Sequence, residues 1–166
     1  MFDLPLHPAI VHVPLGLAFV MPLLAVALAV GVGARRLPRR AWWLAVGLQL
    51  IVLASGGAAL ETGEEDEDRA EARVGEAAVE RHEHAAEAFV AGSVVATAVL
   101  GAAALVPAGV LASVAAIAAP VVLAGTAWQA VVVGHAGGAL VYGPGGAASV
   151  ASAEDVAWRP DEDDDD

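Results

Sequence analysis

The chain contains no cysteine and no lysine, and only 5% of its 166 residues are aromatic. Without cysteine, disulfides, thiolate metal sites, iron–sulfur clusters and covalently attached c-type haem are excluded. Basic residues are also scarce, since eight arginines stand against 20 acidic residues and the formal net charge is −12. This charge disfavours nucleic acid as a partner, because phosphates need cationic contacts. The acidic excess fits either a highly saline environment or a GC-rich genome.

Long apolar runs, by contrast, are abundant: 58% of the residues are hydrophobic. Four runs contain few or no charged residues, and they cover approximately residues 6–33, 41–60, 85–106 and 109–135. About 20 apolar residues in a helix cross a bilayer core of about 30 Å, so each run is long enough to span it. The apolar character is continuous rather than alternating, which favours helices over the strands of a membrane barrel.

These runs predict an all-α membrane protein whose four transmembrane helices form an up-down bundle. Residues 1–146 make up the transmembrane domain, and residues 147–166 form an acidic tail that we expect to be disordered. An acidic segment, 61–83, separates the second and third helices outside the membrane. We expect a stop at Thr62 and Gly63 and a new helix beyond it, rich in alanine and glutamate.

Orientation follows from the arginines. The loop ARRLPRR between the first two spans holds four of them within six residues, next to Trp42 and Trp43. Basic loops tend to remain in the cytoplasm, and tryptophans mark the membrane interface. We therefore predict a multi-pass protein of the plasma membrane with both termini on the extracytoplasmic side.

The same topology gathers all five histidines at the outer end of the bundle. His7 and His12 begin the first span, His82 and His84 precede the third, and His135 ends the fourth. An imidazole at this depth needs a polar partner or a ligand, since unsatisfied polar groups in hydrocarbon are costly. On one regular helix His7 and His12 would point about 140° apart, so they would not hold the same ion.

The stretch ERHEHAAE at 80–87 is the richest in polar side chains. Glu80, His84 and Glu87 share one helical face, and His82 points nearly opposite to His84. A ligating His84 would be oriented by a carboxylate, and Glu87 would face the bundle interior or a vestibule. The alternative is an acidic, solvated helix with incidental histidines.

The end of the fourth span carries His135 followed by two glycines in GHAGGALVYGPGG. Glycines allow a flat ligand or a backbone to approach closely, although they also end helices. Deeper in the spans, Gln49, Thr126 and Gln129 are predicted to form hydrogen bonds between helices.

Two motifs resemble those of a prokaryotic membrane-protein family known as domain-of-unknown-function family 2231. LHPAIVHVPLGL is similar to HPxxVHFPxxL, and GGALVYGPG is similar to GGxLVYxxG. Val13 stands where the family usually has phenylalanine, and Pro144 stands where many members have histidine. The resemblance implies a four-helix bundle with histidines arranged as in small b-type cytochromes, but no established activity.

Three functions remain open. The first is electron transfer through haem b, with His12 and either His84 or His135 as axial ligands and His7 and His82 nearby. The second is a zinc or copper site formed by His12, His84 and His135 with Glu87. The third is a non-enzymatic membrane subunit or scaffold with structural histidines. The lipid bilayer is the certain partner, and a redox partner or another subunit is implied by the first.

Overall fold

The computed structural model describes residues 7–64 and 67–143. These residues form six helices and one short 3-10 turn at Arg39–Ala41. The helices are α1 His7–Ile10, α2 His12–Gly33, α3 Trp42–Glu64, α4 Glu67–Val74, α5 Glu76–Leu105 and α6 Val110–Tyr142.

Four of the helical segments are long and apolar enough to cross a membrane: His12–Gly33, Arg39–Glu64, Glu76–Leu105 and Val110–Tyr142. Helix α2 packs against α3 and α6, and α5 packs against the same two neighbours, so the four long helices close into a ring. The prediction of an all-α, four-helix membrane bundle is confirmed. The protein is a multi-pass membrane protein.

Side-chain size explains how the helices pack together in lipid, where the hydrophobic effect does not drive their association. The core consists largely of alanine, which alone supplies ten of the buried hydrophobic side chains, together with a few larger residues such as Met21 and Leu100. Large apolar side chains point outward, and Leu23, Ile117 and Val121 are each more than 70% exposed. Hydrocarbon solvates these outer side chains, while small inner residues let the helices approach closely.

Helix ends differ from the sequence prediction on the histidine side. Helix α3 continues through Thr62 and Gly63 to Glu64, and α6 continues past His135 and both following glycines to Tyr142. Tertiary packing there overrides the usual preference of glycine for helix ends. Helix α4 follows, and Gly75 joins it to α5 with a φ of 86° that glycine adopts readily.

The opposite end is closed by a structured turn after α2. The amide of Arg36 donates to the Gly31 carbonyl at 2.8 Å, and that of Arg35 donates to Val32 at 3.0 Å. This is the Schellman pattern, and Arg35 occupies its left-handed position with φ 58°. Leu37 folds back over Gly31. A Cβ at position 31 would lie only 2.6 Å from Cδ1 of Leu37.

Arg39 ties this turn to the other end loop of the same side. Its Nη2 donates to the carbonyls of Ala103 and Val106, at 2.8 and 2.6 Å. Both carbonyls belong to the C-terminal end of α5, where no further helical amide is available. The arginine therefore caps α5 and links the two short connections of the bundle.

A polar layer crosses the middle of the bundle. The Gln49 amide donates to the Ser93 carbonyl at 3.3 Å, which confirms the predicted bond between helices for this residue. Thr126 instead bonds to Val122 of its own helix. The Gln129 side chain packs directly on Gly92, where a Cβ would overlap it.

Candidate functional site

A cavity lies at the end of the bundle opposite the arginines. It has a volume of about 410 Å³, and residues from all six helices line it. Most of its walls are apolar, formed by side chains such as Val11, Leu15, Leu60, Val79, Phe89, Val133, Leu140 and Val141. Two imidazoles, His7 and His82, are among the few polar groups facing it.

His7 is held against the end of α3. Its Nδ1 lies 2.8 Å from the Ala59 carbonyl oxygen, which can only accept, so Nδ1 carries the proton. In the neutral ring this leaves Nε2 with a free lone pair for a ligand. Gly63 allows the close approach, because a Cβ there would lie 3.3 Å from both Cε1 and Nδ1 of His7.

His82 approaches from α5 and rests against a glycine of α6. A Cβ at Gly137 would lie 3.1 Å from Cε1 of His82, closer than most real contacts allow. Nδ1 of His82 is buried and has no hydrogen-bond partner within 7–64 and 67–143. A buried nitrogen of this kind is costly to leave unsatisfied and marks a position where a ligand would be stabilised.

The two rings form an edge-type, T-shaped pair within the site. Their centroids are 6.0 Å apart and their planes are nearly perpendicular, at 88°. One ring comes from the first turn of the chain and the other from the helix that starts the second half, 75 positions later. The structure thus brings together two of the five predicted site histidines.

His12, His84 and His135 have different surroundings. His12 also lines the cavity, but its side chain is mostly exposed. His84 is exposed, and its Nδ1 donates to the backbone carbonyl of Glu80 at 3.0 Å rather than to a carboxylate. His135 is exposed on α6 and does not line the cavity. The expected pairing of His12 with His84 or His135 is therefore not the pairing that the structure forms.

The predicted metal set does not assemble either. Glu87 is exposed and lies outside the cavity, contrary to the expectation that it faces inward. Among the described residues, no group of three or more histidine, aspartate or glutamate side chains is arranged to hold a metal ion. The reason is helical geometry, since His84 and Glu87 lie on the side of α5 that turns away from its neighbours.

An acidic opening adjoins the imidazole pair. A smaller cavity of about 50 Å³ is lined by both imidazoles and by Glu64, Glu67 and Glu83. The imidazole pair thus lines both cavities, which adjoin at the acidic end of the bundle.

Helix α4 covers part of the chamber with Glu67 and Ala70. Partial desolvation, and then three neighbouring carboxylates, raise the pKa of Glu71 on this helix above its ordinary value of 4.5. The neighbours are Glu67, Glu76 and Asp68. Negative charge is thus crowded above the site.

Sequence reasoning missed two residues of the site. Gly63 was expected to end a helix, and it instead gives space to the His7 ring. Phe89 forms part of the cavity wall, and its ring contacts the position of Gly56 on α3. The sequence signal for Phe89 was its position seven residues after His82, which places both on one face of α5.

Comparison with known proteins gives no relative. No family model matches the chain, and neither a curated protein nor a solved structure does. The site must therefore be interpreted from its own geometry.

Proposed function

We propose that the protein is a b-type cytochrome of the membrane, in which His7 and His82 are the two axial ligands of a noncovalently bound haem. The observation that carries the proposal is the spacing of the two rings. With metal–nitrogen bonds of about 2 Å, the centres of two imidazoles on opposite sides of one metal lie about 6 Å apart. The measured separation is 6.0 Å.

The number of ligands favours haem over a bare metal ion. Zinc usually needs three or four protein ligands, and this site offers two imidazoles. In haem the porphyrin already supplies four nitrogens to the iron, so two imidazoles from the protein would complete the coordination. A zinc or copper site, the second of our sequence hypotheses, has less support for this reason.

The surroundings of the two rings also suit a porphyrin. The cavity is within the range of about 300–1,000 Å³ found for small-molecule and cofactor sites. Its apolar walls suit a flat hydrophobic group, and the Ala59 carbonyl fixes the orientation of the His7 ring as outer-shell partners of ligating histidines do. The absence of cysteine agrees with noncovalent attachment.

Membership of domain-of-unknown-function family 2231 is part of the proposal. What supports it is that residues of both motifs line the same cavity. His7, Val11 and His12 come from the first motif, and Gly137, Leu140 and Val141 come from the second. Two motifs more than 100 residues apart in sequence are thus explained by one binding site.

The function that follows is electron transfer at one face of the membrane. When bound, the haem supplies one-electron chemistry. His7 and His82 bind and orient it, the apolar walls exclude water, and the acidic opening faces a redox partner. We retain the plasma membrane, with the termini and this site on the extracytoplasmic side, as part of the proposal.

The test is a spectrum of the purified full-length protein in detergent, after expression in cells supplied with haem. A reduced-minus-oxidised optical spectrum with a haem Soret band is expected, and His7→Ala and His82→Ala should each abolish or shift it. Metal analysis of the same sample detects zinc or copper.

His84→Ala and His135→Ala serve as matched controls, since both rings are exposed. Both should retain the wild-type spectrum. Metal without haem would support the zinc or copper alternative. Neither haem nor metal, in a protein that is folded, would overturn the proposal and leave a membrane scaffold with structural histidines.

A further inference from the structure

We propose a second binding site at the arginine end of the bundle, where Arg35, Arg36 and Arg40 bind the headgroup of an anionic phospholipid. This site is independent of the histidine cavity and would exist whether or not haem is bound. All three side chains are exposed and lie within six residues of one turn.

Arg39 is not part of the site, and it makes the site rigid. Its guanidinium is already committed to the carbonyls of Ala103 and Val106. Those two bonds fix the turn against the α5–α6 connection, so the neighbouring arginines start from an ordered backbone. Less conformational entropy is then lost when a ligand binds.

Arg35 has a backbone conformation that argues for a role of its side chain. It adopts φ 58° at the position of a Schellman turn where glycine is the usual residue. A side chain in this region is unfavourable, and the bonds of Arg35 and Arg36 to Val32 and Gly31 hold it there. Strain of this kind is found at functional positions, and here it falls on one of two adjacent, exposed arginines.

The acidic residues of the described chain lie far from these arginines, so an external anion can pair with them. Within residues 7–64 and 67–143, every aspartate and glutamate falls in 61–87, at or near the histidine end. The last of them, Glu87, is 18 residues from the end of α5, which corresponds to about 27 Å of helix. No carboxylate of the described chain is therefore near enough to neutralise the three charges.

The position of the turn selects a lipid as the source of the anion. It joins the ends of two membrane-spanning helices, and it carries the exposed side chain of Leu37 (41%) and is followed by the exposed indole of Trp43 (50%). Tryptophan at such a position sits at the level of lipid headgroups. Guanidinium groups bind phosphate through paired hydrogen bonds, and juxtamembrane basic residues attract anionic lipid.

The test measures lipid selectivity by native mass spectrometry. The purified full chain is incubated with an equimolar mixture of phosphatidylglycerol and phosphatidylcholine that have the same acyl chains. We expect bound phosphatidylglycerol to exceed phosphatidylcholine, and each arginine removed should reduce this ratio by about fivefold. The variants are Arg35→Gly, Arg36→Gln, Arg40→Gln and the triple combination.

Arg35→Gly separates loss of binding from loss of fold. Because glycine suits the left-handed position, this variant should melt at or above the wild-type temperature and still bind less phosphatidylglycerol. Arg81→Gln, an exposed arginine at the histidine end, should leave the ratio unchanged.

Three results would overturn the proposal. The first is an unchanged lipid ratio in the triple variant. The second is an equal loss of selectivity in Arg81→Gln. The third is displacement of the bound lipid by soluble glycerol phosphate at the same concentration, which would mean that the site binds a free anion rather than a membrane lipid.

Discussion

The two ends of this bundle differ in how the ends of their helices are closed. At the arginine end, the connections are short, the α2 turn is closed by backbone bonds, and Arg39 caps α5. At the histidine end, α1 and α4 stand over the helix termini, and a cavity of about 410 Å³ remains beneath them. The last carbonyls of α5 are capped at the first end, whereas Nδ1 of His82 lacks a hydrogen-bond partner among the described residues at the second.

This difference separates the residues that stabilise the fold from those of the proposed cofactor site. A closed end with satisfied carbonyls contributes to holding the helices together, and changes there should alter unfolding. An open end with an unsatisfied nitrogen is arranged for something to bind, and changes there should alter ligand occupancy first. The predictions below test that division.

The largest effect on stability should come from Arg39. Arg39→Gln removes the charged donor and leaves two α5 carbonyls uncapped, so we expect a loss of about 2–3 kcal/mol in the free energy of unfolding. Denaturant titration in mixed micelles measures it. Arg40→Gln, one position away and exposed, is the control and should change stability by less than about 0.5 kcal/mol. Equal effects for the two variants would mean that Arg39 does not cap α5.

Two neighbouring glycines on α6 should differ in how well they tolerate alanine. Gly138 has open space around its Cβ position, so Gly138→Ala should stabilise the helix by up to about 1 kcal/mol. Gly137→Ala places a methyl group against His82, which should displace the ring and leave this variant about 1–2 kcal/mol less stable than Gly138→Ala.

Haem content should be measured in both glycine variants together with their unfolding. Gly137→Ala should bind less haem than the wild type, while Gly138→Ala should bind the same amount. If both variants kept full occupancy, the contact between Gly137 and His82 would have no part in the site.

The smallest effect concerns Glu71 above the cavity. Its raised pKa means that the folded protein holds this proton more tightly than the unfolded chain does. Stability should therefore increase slightly as the pH falls through the range just above 4.5. Glu71→Gln should remove this contribution and raise the melting temperature slightly at neutral pH. A lower melting temperature in this variant would contradict the assignment.

The fold was largely predictable from sequence, and the site only in part. Four uncharged apolar runs determine four spanning helices, because a bilayer leaves few alternatives to a helix of that length. The gathering of the histidines at one end followed from the same count of crossings. Which two of them meet did not follow, since that depends on helix rotation and on space.

Particular residues show where the prediction ended. His7 reaches the site because α1 packs against α3, where the His7 ring bonds to the Ala59 carbonyl, and no local sequence pattern encodes this contact between helices. Gly63 and Gly137 were expected at or near helix ends, yet both lie inside helices that continue past them. Their role depends on the rings packed against them, which no local pattern reveals.

The most direct test of the central claim is electron paramagnetic resonance of the oxidised, haem-loaded protein. The 88° angle between the rings of His7 and His82 predicts the strongly anisotropic low-spin signal of iron between perpendicular imidazoles. That signal should become high-spin in His82→Ala and in His7→Ala. A low-spin signal that survives both substitutions, or that is lost in His84→Ala or His135→Ala instead, would contradict the account.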